Sequence, residues 1–458
     1  MRIEKVGSWL KLHGPLIRKI QWVIILAYAV LTILPALLPL PHSSIHFWQH
    51  ITLFAQFVFW GLWWPFVLLS IVLFGRLWCG VLCPEGALTE FASRHGLGRA
   101  IPRWMRFGGW PFVAFSLTTI YGQMISVYQY PKPVLLILGG STVGAIIIGF
   151  IYGKSNRVWC KYLCPVNGVF ALLARLSPFR FKADKQKWQS FPIKVTSVEC
   201  PTLLPLKTMT GAAGCHMCGK CSDHRDALAL TWRSPNEEIV QYGTQNQSFW
   251  ESILIIYGLC GFALGAFQWS VSHWLPLFKE YLATWLIDQN IMWPFATNTP
   301  WWVFTHYPNQ GDVFSWLDGG LVVGYILAFG LIIGSLILLL VTLATKITGA
   351  FTLKKLNHLS QSLIPLAGAG VFVGLLANTL SILRSEQIIL AWATTLKFSL
   401  LLLASGWSAY LAWQVIAGYT STIKRRMLSL FFMLMAYALI NVTWVLVLFI
   451  WSTKPDML

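Results

Sequence analysis

Arg76-Leu77-Trp78-Cys79-Gly80-Val81-Leu82-Cys83-Pro84 decides how this chain is read, because it occurs twice. The second copy is Arg157-Val158-Trp159-Cys160-Lys161-Tyr162-Leu163-Cys164-Pro165, with Arg, Trp, Cys, Leu, Cys and Pro matched at a constant offset of 81 residues. Each copy closes an apolar stretch of membrane length, and a third group, Cys215-x-x-Cys218-x-x-Cys221, follows. Soft thiolates in such numbers suit iron–sulfur or other redox chemistry better than packing.

Outward from these motifs, the chain reads as membrane protein. Of 458 residues, 56% are hydrophobic and 11% charged, against about 25% charged in a soluble domain. Nine stretches are long and apolar enough to cross a bilayer: 20–40, 51–74, 109–130, 134–152, 251–271, 320–345, 359–383, 388–417 and 427–451. The expected fold is all-α, a polytopic membrane protein of about nine transmembrane helices with a small cytoplasmic iron–sulfur module. Three segments are expected: 1–152, a first membrane unit of duplicated helix pairs; 153–250, a cytoplasmic segment with the second motif and the third cysteine group; and 251–458, a C-terminal membrane unit with an aromatic-rich outer loop, 272–317.

The charge is sorted rather than merely basic. Net charge is +18, and 29 of the 34 Lys and Arg fall in 1–19, 75–108, 153–250, 346–358 and 421–426, all on one side if the spans alternate. The other side holds Lys132, Lys279, Arg384 and Lys454, and Lys397 lies inside a span. The positive-inside rule puts the N-terminus in the cytoplasm and the C-terminus outside, in a bacterial inner membrane. Such sorting needs contact with membrane lipid and no nucleic acid. The basic, amphipathic first 20 residues read as a retained anchor.

Both repeated motifs then fall on the same face. The duplication is parallel, about an axis along the membrane normal, and it would bring Cys79, Cys83, Cys160 and Cys164 together. Pro84 suits the first position of a helix, which sets Cys83 at a helix N-terminus where the dipole favours thiolate. Cys164-Pro165 repeats that logic, and Cys79 and Cys160 lie on the entering loops. Four thiols match a [2Fe–2S] or [4Fe–4S] cluster; a metal-free redox dithiol and structural cysteines are the alternatives.

The third group has the first three ligand spacings of a ferredoxin loop. Arg225 stands where the fourth cysteine would fall, but Cys200-Pro201 lies upstream. The reading is one [4Fe–4S] cluster held by Cys200, Cys215, Cys218 and Cys221, with His216 or His224 as substitute fourth ligands and structural zinc as the alternative. His42, His46 and His50, spaced by four, are weak candidates for an outer metal contact; on a helix the outer pair would stand about 12 Å apart. Cys260 reads as a packing residue. Lys397 is a functional candidate because intramembrane charge is costly. No Cys-x-x-Cys-His, phosphate loop or dinucleotide fingerprint occurs.

Across about residues 50–230 these motifs resemble the bacterial membrane polyferredoxins. A nearer resemblance is to the membrane iron–sulfur component of a four-part ferrous-iron uptake system, through Phe59-Trp60-Gly61-Leu62-Trp63-Trp64-Pro65 and Glu199-Cys200-Pro201. That resemblance implies an iron permease, a periplasmic metal-binding protein and a cupredoxin-like protein as partners. The function expected is electron transfer between a cytoplasmic donor and a periplasmic acceptor, in iron or copper uptake. The alternatives are a quinol-linked donor to a periplasmic reductase, or a non-catalytic assembly or regulatory factor. With both centres expected at the cytoplasmic face, a quinone, a flavin or another subunit would have to bridge a core about 30 Å thick.

Overall fold

The computed structural model describes residues 3–41, 46–191, 198–245 and 248–451. Lys454 and His42 lie outside the described residues. The chain forms two compact units, one of 1–114 with 138–251 and one of 115–137 with 252–458. Residues 115–137 of the expected first segment belong to the second unit, which the chain enters again at Ser252.

The first unit opens with a short helix, α1 (Ile3–Leu12), and a span, α2 (Gly14–Leu37). Helix α1 packs on the cysteine module: Lys11 Nζ donates to the Ser222 carbonyl at 2.7 Å, and Leu10 lies against Gly219. Span α3 (Ile51–Phe74) follows. It ends at Gly75, whose φ of +66° is in the left-handed region that favours glycine, and the chain turns there into the first motif. A half-length helix, α4 (Pro84–Arg94), leads away from Cys83. Helix α5 (Trp110–Met124) passes into the second unit at Phe115, and span α6 (Pro131–Tyr152) returns to the first at Leu138. The second motif forms α7 (Val158–Tyr162) and leads to α8 (Asn167–Ala174). Strands β1 (Phe179–Ala183) and β2 (Leu228–Trp232) pair antiparallel, Phe179 opposite Trp232, and close the module around buried Phe181, Leu228 and Leu230.

The repeats are packed crosswise. Helix α4 of the first repeat lies along the second half of α6, and α8 of the second lies along the second half of α3. Close approach is needed: a Cβ on Gly149 would come within 2.6 Å of the Thr89 carbonyl.

The second unit contains spans α9 (Phe249–Val271), α11 (Trp316–Ile347), α12 (Leu353–Ser385), α13 (Trp392–Ala417) and α14 (Ile423–Phe449). Between α9 and α11 lie α10 (Trp274–Asp288) and a two-residue ladder, β3 (His306–Tyr307) with β4 (Asp312–Val313). Leu286 of α10 is buried against Leu317 and Leu321, while Trp274, Tyr281 and Trp293 are exposed.

Eight helices among the described residues are long and apolar enough to span, not nine. The segment 109–130 departs from expectation. Its helix α5 has 15 residues, about 22 Å at 1.5 Å per residue, and breaks at Ser126, where φ is +51°. The fold is otherwise the all-α polytopic one expected.

Candidate metal centres

All eight motif cysteines are free thiols in the first unit, buried or half-buried. Cys83 caps α4 as expected: Pro84 is the first helical residue, and the Gly86 amide donates to Cys83 Sγ at 3.4 Å. The second copy differs. Its helix starts at Asn167 with Val166 as the cap, not at Pro165. Cys79 and Cys160 also sit in helical turns, Trp78–Leu82 and Val158–Tyr162, not on open loops.

The first two motifs are brought together. Burial pushes the Cys83 thiol well up, and the Cys79 and Cys160 thiols and Glu85 push it further. The same holds for Cys164, with Glu85, Cys160 and Cys83 as neighbours, and burial pushes Cys160 up to about 12. Burial raises these three thiols, and with Cys79 beside Cys83 and Cys160 they form one set of four neighbouring thiols. Glu85 shares the site. Burial raises its carboxyl, and Trp159 Nε1 donates to it at 3.3 Å.

Cys200, Cys215, Cys218 and Cys221 line one small cavity together with Phe181, Leu206 and Met209. Left-handed backbone at Met217 and Gly219 winds the loop around that space, and the Met217 amide donates to Cys215 Sγ at 3.4 Å. His216 lines the same cavity, is buried, and its Nδ1 has no partner among the described residues. His224 packs instead on Trp188, ring centres 5.4 Å apart. Among the described residues no three Cys, His, Asp or Glu are spaced to hold a single metal ion. The module's four thiols line one cavity, and four thiols are the donor set of an iron–sulfur cluster.

Arg157 joins the two groups. It is 2% exposed. Its guanidinium donates to the carbonyls of Cys79 and Gly80 and, from Nε at 2.9 Å, to Glu90. Its backbone amide donates to the Pro201 carbonyl at 2.6 Å, and its charge acts on Cys160 and Cys218. Arg76, its partner in the repeat, donates to the Ala213 carbonyl (3.1 Å) and to Asn167 Oδ1 (2.7 Å). Arg157 therefore grips the first repeat's cysteine turn, while Arg76 reaches the helix that follows the second motif and the segment leading to Cys215. Burial alone would raise Glu90, but Arg157 and Lys220 hold it down to about 2. Sequence reading matched these arginines between the copies without giving them a task; their recurrence before each Trp-Cys was the available signal.

The histidine series does not form a helical face. His46 and His50 have extended backbone on either side of a single turn, Phe47–Gln49, and His42 is outside the described residues. Lys397 is 7% exposed within α13, its ammonium 5.6 Å from the centre of the Phe449 ring. Cys260 is buried in α9, in the second unit.

Residues 56–105 and 136–184, one around each repeated motif, match the 4Fe-4S binding domain family. The chain is 23% identical over 252 residues to YccM of Escherichia coli, named for electron transport, covering 49% of this chain and 69% of that protein. It is 28% identical over 121 residues to the methylamine utilization ferredoxin-type protein MauN of Paracoccus denitrificans, 24% of this chain and 42% of that one. Over 180 residues it is 24% identical to the ferredoxin-type protein NapH of Haemophilus influenzae, 34% of this chain and 62% of that one. No solved structure matches. The chain is thus an all-α polytopic membrane protein with stretches similar to ferredoxin-type electron-transport proteins.

Proposed function

We propose that this chain carries electrons through two iron–sulfur centres, one held by Cys200, Cys215, Cys218 and Cys221 and the other by Cys79, Cys83, Cys160 and Cys164. The observation that carries this is the gathering of eight thiols into two adjoining sets joined by one buried arginine. A bound cluster supplies one-electron chemistry. The residues do the rest. Phe181, Leu206 and Met209 keep water from the module's cavity. The Met217 and Gly86 amides donate to thiolate sulfur. Arg157 and Arg76 supply positive charge beside both sets, which favours the reduced, more anionic state. The donor is a cytoplasmic reductant and the acceptor lies on the periplasmic side. The acceptor is a periplasmic metal-binding protein of an iron-uptake system, a reading supported only by the segments Phe59–Pro65 and Glu199–Pro201. Anaerobic purification with iron and acid-labile sulfide analysis and electron paramagnetic resonance tests the proposal. Two separable signals are expected. Zinc in place of iron would overturn it.

A further inference from the structure

The first repeated motif was expected at a membrane face. Its contacts put it elsewhere, and three spans serve as rulers. Tyr28 stands about 21 Å from the start of α2 and about 14 Å from its end, at 1.5 Å per residue. Trp63 is about 18 and 16 Å from the ends of α3, and Thr142 about 16 and 15 Å from the ends of α6, on the same scale. These midpoints meet: the Tyr28 hydroxyl is 3.0 Å from Thr142 Oγ1, and its ring centre is 6.4 Å from that of Trp63.

The cysteine site is at that level. The Trp78 ring centre is 5.0 Å from Trp63. Trp159, which donates to Glu85, has its ring edge 3.2 Å from where a Cβ on Gly144 would stand. Cys83 and Glu85 are electrostatic neighbours of Tyr28. From Cys83, α4 runs beside the second half of α6. Thr89 touches Gly149 and Ser93 touches Gly153, where α6 ends. With 11 residues, α4 is about 16 Å long, half of a 30 Å hydrocarbon core. Meanwhile the Cys215–Cys221 loop lies against Gly7 and Leu10, ahead of α2. Non-spanning backbone of this kind is tolerated at depth where protein surrounds it, and Glu90 with Arg157 is a buried pair that needs no water.

We infer that Cys79, Cys83, Cys160 and Cys164 form an intramembrane centre, set near the middle of the bilayer by the half-length re-entrant helix α4. The inference rests on the electron-transfer reading for its purpose and on packing alone for its geometry. The centre spans the inner half of the electron's path. The next carrier on the way to the periplasmic acceptor then needs to reach only the outer half of the core, which suits a lipophilic carrier or a redox group seated in the outer leaflet.

Electron cryomicroscopy of the full chain in lipid nanodiscs tests this directly, with iron and sulfide measured on the same sample. The expected height of Cys83 Cα is within about 5 Å of the centre of the lipid belt, with all four cysteines inside the core, while Gly219, packed on Gly7 and Leu10, sits nearer the headgroups. Cys83 at the headgroups, about 15 Å from the centre, would overturn the inference whether or not clusters are present. Cys83 at mid-depth in protein without iron or sulfide would uphold the geometry and defeat the electron-transfer reading.

Discussion

Replacing Arg157 by glutamine removes the residue that joins the two cysteine groups. The side chains of Arg157 and Glu90 are 2% and 8% exposed, and breaking such a buried pair costs roughly 3–5 kcal/mol. Lys220 also reaches Glu90 but is 44% exposed, so it offsets part of the loss and favours the lower figure. The carbonyls of Cys79 and Gly80 lose a charged donor as well, each such bond being worth about 1.5–3 kcal/mol and not additive with the pair. A net loss of about 4 kcal/mol lowers the melting temperature of a unit this size by roughly 10 °C. Thermal unfolding of the purified protein in detergent, followed by intrinsic fluorescence, measures it. Arg157→Lys keeps the charge but not the planar fork and should lie between. Adding Glu90→Gln to Arg157→Gln should restore about 1 kcal/mol or more, because the stranded carboxylate is gone. A melting temperature within 2 °C of the parent for Arg157→Gln would refute the assignment of Arg157 as the clamp.

Cys200→Ser should abolish or convert the signal of the module cluster, while Cys260→Ala leaves both signals unchanged; an unaltered spectrum in the Cys200 variant would point to His216, which lines the same cavity. Gly149→Val drives a side chain into the Thr89 backbone and should cost about 1–3 kcal/mol, read as a lower melting temperature. Glu90 is held down to about 2, so its contribution is complete above about pH 4.5 and is lost as pH falls toward 2. That contribution is roughly 3 kcal/mol, so stability should fall across this window in the parent and much less in Glu90→Gln.

Much of this arrangement was legible because it repeats or is periodic. The Arg-x-Trp-Cys-x-x-Leu-Cys-Pro copies announced one shared site, Pro84 announced a helix capped by Cys83, and eight apolar stretches became spans. What was hidden depends on contacts between distant residues. Residues 75–108, with the helix that starts at Pro84, read as a connection outside the membrane because Glu85, Glu90 and Arg94 interrupt the hydropathy. Those acids are matched by Trp159, Arg157 and Lys220 from far along the chain, so α4 can enter the bundle. Segment 109–130 has span-like composition, but the turn at Ser126 limits its helix to 15 residues. The His46 and His50 spacing matched a helical face, yet the chain turns between them.

The central claim is that this chain binds two iron–sulfur centres through two sets of four cysteines. The most direct measurement is a potentiometric titration monitored by electron paramagnetic resonance on anaerobically purified protein, comparing the parent with Cys83→Ser and Cys218→Ser. Two signals with separate midpoints are predicted, Cys83→Ser losing one and Cys218→Ser the other. A single signal, lost only in Cys218→Ser and untouched in Cys83→Ser, would contradict the account.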